Sequence, residues 1–379
     1  MNQDARIYGK SQPRSLPEPG YGFFGRETEI LKIENDAFKQ NNMLLVQAAG
    51  GAGKTALISH LARCWQAERG IEKVFYFSFH ERTWKLEQIL LEIGDSLLPE
   101  KDRQDHFRQL TEKGRTAAIV ETLRERRHLL ILEDLEFISN HLLIADSGLS
   151  KNERRRIKTF LTQLSGGATR VLLSSKDTAP WLSSTTFKDQ VLHLGALDSE
   201  ATRLFCERIL EKHGSALNPK EGDLQRLIAF LKVCPLALEV VLPDLEDQAP
   251  VEIITALGLK DAGEDTPAGH TAIDAIEFIY RMLPLGARCL LACLSPVAGV
   301  INPEFLVQYG QQLKKQKPLE NLNVDQFNEL IQEAFRRKLI QSHCDVPDFF
   351  KFRPPMPYLL KKIMDQLDPE RQDAIQAAF

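Results

Sequence analysis

The stretch QAAGGAGKTALISHLA, Gln47 to Ala62, sets three glycines in four positions, Gly50, Gly51 and Gly53, and then turns abruptly into a run of good helix formers. The spacing Ala48-x-x-x-x-Gly53-Lys54-Thr55 is the P-loop pattern with alanine in place of its first glycine. An apolar run, MLLVQ (Met43–Gln47), precedes it, so the cluster sits where a strand gives way to a helix. That setting suits phosphate. Glycines let the backbone approach closely, its N–H groups turn inward, and the helix N-terminus carries positive potential. Gly50, Gly51, Ala52, Gly53 and Ala56 are therefore expected around the phosphates, with Lys54 reaching the β- and γ-phosphates and Thr55 holding Mg²⁺ through its hydroxyl. A ligand-free glycine turn is the plain alternative, and the completeness of the pattern weighs against it.

Phosphate chemistry of this kind also needs an acid at the end of a neighbouring strand, and HLLILEDLEF (His128–Phe137) supplies Glu133 and Asp134. Both are candidates for the metal and for the attacking water. Glu stands first where Asp is usual, so the two roles can be divided between them differently, or shared with Glu136.

From Asn42 to Leu194, short apolar runs alternate with amphipathic stretches, the pattern of strands buried in a parallel sheet between helices. The strand candidates are residues 43–47, 74–79, 128–132, 170–175 and 190–194. Beyond them helix follows helix: 198–213, 221–232 and 235–245, then, past a Gly-, Asp- and Pro-rich stretch, 271–283, 286–294, 303–313 and 324–338. Two strand-like runs, LIQSH and FFKF, close this part as a wing would, and a last helical pattern runs to Phe379 without a capping signal, as though a continuation were to follow. The expected organisation is a flexible arm (1–20), an α/β P-loop domain with a parallel sheet (21–195), a small helical domain (196–256), a linker (257–270) and a winged-helix domain with C-terminal helices (271–379).

The chain has 379 residues, enough for several cores, and a net charge of only −4, so no global basic field draws it to nucleic acid or to an anionic membrane. Its first residues form no signal peptide, and no apolar run reaches the about 18 residues a membrane span needs. Six scattered cysteines without a C-x-x-C fit a reducing compartment, and a cytoplasmic location is expected. Cys289 and Cys293 share a helix face, yet they lack a partnering His or acid and read as core.

Further pieces resemble the STAND class of signalling ATPases, which includes the NB-ARC and NACHT switches. FFGRETEILKI (Phe23–Ile33) is similar to the opening segment that lies against the adenine ring, which puts Phe24, Gly25 and Arg26 at the base. AAGGAGKTAL and LLILEDLEFI resemble the P-loop and acidic strand of that class. RVLLSSKD resembles its sensor strand, whose Ser175 and Lys176 would feel the γ-phosphate, and VCPLALEVV resembles the motif in which a proline, here Pro235, packs on the base. The resemblance implies closure over ADP, opening on exchange for ATP, oligomerisation, and slow hydrolysis that resets the switch, with an effector or sensor partner and a role in defence or stress signalling. The family's phosphate-binding histidine falls at Arg353 in FKFRPPMPYLL, and an ADP latch by that arginine is expected.

Three arginines in NERRRIKTF (Asn152–Phe160) read chiefly as a solvated face, with an arginine finger as the sharper alternative. An origin-recognition type of AAA+ ATPase, or a winged-helix transcription regulator on DNA, is the rival reading. The 324–338 helix is acidic for most of its length, which disfavours direct DNA contact.

Overall fold

Five apolar runs build a parallel sheet in the order β2-β3-β4-β1-β5: β1 (Met43–Gln47), β2 (Val74–Ser78), β3 (Leu129–Glu133), β4 (Arg170–Ser175) and β5 (Val191–His193). The computed structural model describes residues 16–38, 41–68, 70–98, 107–139, 149–176, 181–182, 190–220, 222–231, 234–257, 268–297, 300–343, 348–353 and 356–379. β1 to β4 are apolar along most of their length because both faces are covered, whereas the edge strand β5 is largely exposed. Leu44, Val46, Ile131 and Leu172 face one core, and Leu45, Leu130, Leu132 and Leu173 face the other. β1 and β4 have the expected bounds. β3 runs one residue further along than expected because Glu133, although ionisable, is fully buried, pairs with Ser78 and accepts the Phe79 N–H at 3.0 Å.

Among the described residues, six helices flank this sheet: α1 (Glu27–Lys32), α2 (Lys54–Glu68), α3 (Leu86–Leu97), α4 (Glu112–Glu125), α5 (Glu136–Ser139) and α6 (Lys151–Leu164). The side chains of Thr111 and Ser150 cap α4 and α6 by accepting N–H bonds from Gly114 and Glu153. On α6, Arg156 is paired with Glu153 and with Glu112.

The second half comprises α7 (Ser199–Lys212), α8 (Gly222–Phe230), α9 (Pro235–Val241), α10 (Pro250–Ala256), α11 (Ala268–Met282), α12 (Leu285–Cys293), β6 (Val300–Ile301), α13 (Pro303–Lys314), α14 (Phe327–Arg336), β7 (Ile340–Ser342), β8 (Phe350–Phe352), α15 (Met356–Asp365) and α16 (Pro369–Ala378). β6, β8 and β7 form a small antiparallel sheet with β8 in the middle. One apolar core runs from Phe205 on α7 to Ala378 on α16 and takes in Cys206, Cys234 and Cys293.

Some expected helices are shortened for local reasons. The helix from Pro235 tightens into a 3₁₀ turn at Leu242–Glu246, where Pro243 has no N–H to continue the ladder. The 324–338 stretch divides into a 3₁₀ turn, Val324–Gln326, and α14. The expected arm lies outside the described residues up to position 15, and so does the expected linker over 258–267; α11 begins at Ala268, inside the latter. Residues 16 and 17 are held by the Arg63 guanidinium, which donates to the Leu16 and Pro17 carbonyls at 3.1 and 2.8 Å.

A short strap, residues 21–24, joins the halves. Phe23 stacks on His60 of α2, its ring centroid 4.1 Å away. Tyr21 and Phe24 belong instead to the second core, against Phe205.

Candidate functional site

The turn after β1 is shaped by Gly51 and Gly53, whose φ angles of 83° and 94° lie where side chains are strained. It delivers Lys54 and Thr55 to the first turn of α2. Lys54 is buried and donates to the carbonyls of Ala48 and Ala49 at 2.8 and 3.3 Å, so its ammonium is held within the loop itself. The Leu236 N–H at the start of α9 donates to the Gly51 carbonyl at 3.2 Å, which ties the helical half directly to the loop.

Opposite the loop stand three acids. Glu133 Oε2 accepts the Tyr76 hydroxyl at 2.7 Å, and Asp134 Oδ2 accepts the Ser78 hydroxyl at 3.1 Å. Glu136 Oε2 accepts the Lys176 N–H at 3.0 Å. Asp134 adopts a left-handed φ of 62°, held by the Ser174 hydroxyl, which accepts its N–H at 3.1 Å. Burial, and then the neighbouring Asp134, push Glu133 and Glu136 above the usual carboxylate range. Burial also raises Asp134, against the pull of Lys54. The cluster is short of positive charge, and its oxygens, with the Thr55 hydroxyl, suit a hard cation such as Mg²⁺. Among the described residues no three His, Cys, Asp or Glu side chains converge as a ready-made metal site.

These groups open into one cavity of about 220 Å³. Its walls come from four places: residues 17–20, 22–24 and 26, the loop 50–56 with Glu133, Asp134 and Glu136, then α9 with Pro235 and Glu239, and the small sheet with Gln341, Lys351 and the following Arg353. Of the residues singled out from sequence, Phe24, Arg26, Gly50, Gly51, Ala52, Gly53, Lys54, Thr55, Ala56, Glu133, Asp134, Pro235 and Arg353 meet there. Gly25, Ser175 and Lys176 stand outside that lining. Gly25 has a φ of 65°, and a Cβ on it would meet Ala201 Cβ at 2.5 Å, so its part is to let α7 approach. The Ser175 carbonyl accepts the Ala48 N–H at 3.2 Å. The Lys176 ammonium lies 5.0 Å from the Tyr358 ring centroid.

The guanidinium of Arg26 is a clamp. It donates to the carbonyls of Ala52 and Gly195 at 3.0 and 2.9 Å, to Ala196 at 3.1 Å and to Glu29 at 2.9 Å. Arg353 is paired with Glu239 at 2.8 Å.

Sequence reasoning missed Tyr76, Ser78, His80 and Lys351. The first three were readable, since VFYFSFH puts polar groups at alternate positions of an otherwise apolar strand, on the face Tyr76 shares with Val46 and Ile131. Lys351 was not, because its partner Glu81 is far away in the chain; the two form a buried ion pair between β8 and the turn after β2.

The NB-ARC domain family matches residues 26–163. No curated protein matches the chain. Among solved structures it is similar to a STAND protein with a tetratricopeptide repeat sensor from Pyrococcus horikoshii, at 15% identity and TM-score 0.55, over 97% of this chain and 46% of that one. The chain thus spans under half the length of that protein. It is also similar to the Aeropyrum pernix ORC1 protein solved in complex with DNA, at 15% identity and TM-score 0.39, over 92% of this chain and 94% of that one. The match over residues 26–163 and the parallel-sheet fold around the loop make the chain similar to STAND P-loop proteins in fold. Among the described residues no helix is long and apolar enough to cross a membrane.

Proposed function

We propose that this chain is a switch that binds ATP or ADP, with its nucleotide held between the P-loop and the helical half. The supporting observation is the cavity itself, whose walls come from the strap, the P-loop, α9 and the small sheet. A ligand filling it touches both halves, so its binding energy can select one arrangement of them over another. The base lies between Phe24 and Pro235. Lys54 and the N–H groups of residues 50–56 take the phosphates. Thr55, Glu133 and Asp134 hold Mg²⁺, which neutralises phosphate charge when bound. Asp134 and Glu133 serve slow hydrolysis of ATP, while Ser175 and Lys176 act through the ends of β4 and α5.

Arg353 is the ADP latch of this reading, released from Glu239 to fork onto phosphate oxygens. The parallel-sheet domain (21–195), helical domain (196–256), linker (257–270) and winged helix (271–379) are its moving parts. Exchange of ADP for ATP opens them to an oligomer that engages an effector, in a cytoplasmic signalling role of the defence or stress type. The cations at the end of α14 do not favour the DNA-binding rival, since Arg336 and Arg337 are both paired with Glu333.

The test is to denature the purified chain and identify by chromatography what it releases. Stoichiometric ADP supports a resting switch. An empty chain that also shows no melting shift with ATP or ADP refutes the proposal. Arg353→Ala should shorten ADP retention; unchanged retention and oligomeric state would remove the latch.

A further inference from the structure

His80 sits two residues beyond β2 in the wall of the cavity, is 7% exposed, and its Nε2 has no hydrogen-bond partner among the described residues. A buried polar nitrogen without a partner is rare in folded proteins, and one that faces a cavity marks where a water or ligand belongs. Its surroundings say which. Tyr76, Ser78 and His80 follow one another at alternate positions; the first bonds Glu133 and the second Asp134. His80 extends that row toward Glu136, and its ring lies 4.9 Å from the ring of Phe137 in α5. Glu81 and Lys351 are the other charged groups that face it.

We infer that the imidazole of His80 accepts a hydrogen bond from the water that attacks the terminal phosphate, an inference that rests on the hydrolysis reading above. The cavity offers phosphate a cation in Lys54, while Lys351 is paired with Glu81. Each of the three acids accepts one bond from the protein, Glu133 from Tyr76, Asp134 from Ser78 and Glu136 from Lys176, and beside them His80 Nε2 offers a neutral acceptor with no partner among the described residues. Burial, and then Lys351, bring the His80 pKa down to about 4, so the ring is neutral and accepts at physiological pH.

In the step, the water oxygen bonds to the γ-phosphorus as the bond from that phosphorus to the β,γ-bridging oxygen breaks. The bridging oxygen leaves with the electron pair as part of ADP. One water proton passes to the Asp134 carboxylate and on to solvent. The other remains on the product phosphate, directed at Nε2 until release.

The experiment compares the intact chain with Lys54→Ala, His80→Phe and His80→Gln, measuring single-turnover ATP hydrolysis with Mg²⁺ and, separately, the affinities for ATP and ADP. Phe fills the site without an acceptor, and Gln restores one. The expected result is a fall of about 10²-fold in rate for His80→Phe, in the range that loss of one positioned proton-handling group produces. Both affinities should stay within about twofold, and His80→Gln should recover most of the rate. Hydrolysis by His80→Phe at the rate of the unaltered chain overturns the inference and leaves the switch standing. So does a parallel loss of rate and affinity, or failure of Gln to rescue. If the unaltered chain turns over no faster than Lys54→Ala, the hydrolysis reading itself falls, and the role of His80 with it.

Discussion

The two halves of this molecule are held together internally by the same means and joined to each other by a different one. Inside the first, apolar strands bury both faces of a sheet; inside the second, a single apolar core runs from Phe205 to Ala378. Between them polar and backbone contacts stand beside one aromatic one: the Glu81–Lys351 ion pair, the Leu236 N–H on Gly51, and the Tyr358 ring, which packs on Phe137 and under the Lys176 ammonium. Apolar burial is non-directional and persists under small displacements, whereas buried ion pairs hold only in one geometry and leave a costly charge when parted. A joint of this kind suits bodies that stay folded while they separate.

The difference can be broken at its strongest point first. Lys351→Ala removes the cation paired with the buried Glu81 carboxylate, leaving His343 at 3.8 Å beside it, and should cost about 3–5 kcal/mol. Denaturant unfolding followed by probes in each half should then show two transitions where the unaltered chain shows one; a single shifted transition would mean that the halves are not separable bodies. Core truncation makes the contrast: Leu172→Ala in the sheet should cost about 2–5 kcal/mol with both probes still moving together.

Acid sharpens the same joint. Because the folded pKa of His80 is depressed to about 4, the unfolded chain binds its proton first as pH falls, so this group's contribution is complete above about pH 6.5 and is lost on the way down to about 4. The loss is on the order of 3 kcal/mol, and a His80→Gln chain should show a flatter acid limb in its melting profile.

On the proposed reading nucleotide acts across the joint as well. At a hundredfold excess over its dissociation constant, ADP or ATP should add about 2.7 kcal/mol of stability, visible as a melting shift that Lys54→Ala abolishes. The smallest effect is expected at Gly25→Ala, on the order of 1–2 kcal/mol from its left-handed φ and the close approach of Ala201. It should weaken the strap's hold on α7 without altering the sheet.

How far the sequence could be read follows from the range of the forces involved. β1 and β4 were legible to the residue because a strand buried on both faces writes itself as an unbroken apolar run between polar neighbours. The phosphate loop was legible because its chemistry lies in consecutive residues. β3 was misread by one position because a buried glutamate looks like a strand end until its partner Tyr76 is seen. The row of Tyr76, Ser78 and His80 was written in period two but hidden by the aromatic run around it. The pairing of Lys351 with Glu81 has no local signature, since only the folded chain brings β8 to the turn after β2.

Phe23 and Phe24 are neighbours in the chain, yet one is seated in the first half and the other in the second. Their Cα atoms are about 3.8 Å apart across one peptide bond, a length the chain cannot extend. The halves therefore have almost no slack at this point: a rotation that parts them by more than a few ångströms must lift one of the two rings from its seat. Phe24 is also part of the cavity wall. On the proposed reading, opening and loss of the wall against the base would be one mechanical event, and the rate at which bound nucleotide escapes would become a clock for how often the molecule opens.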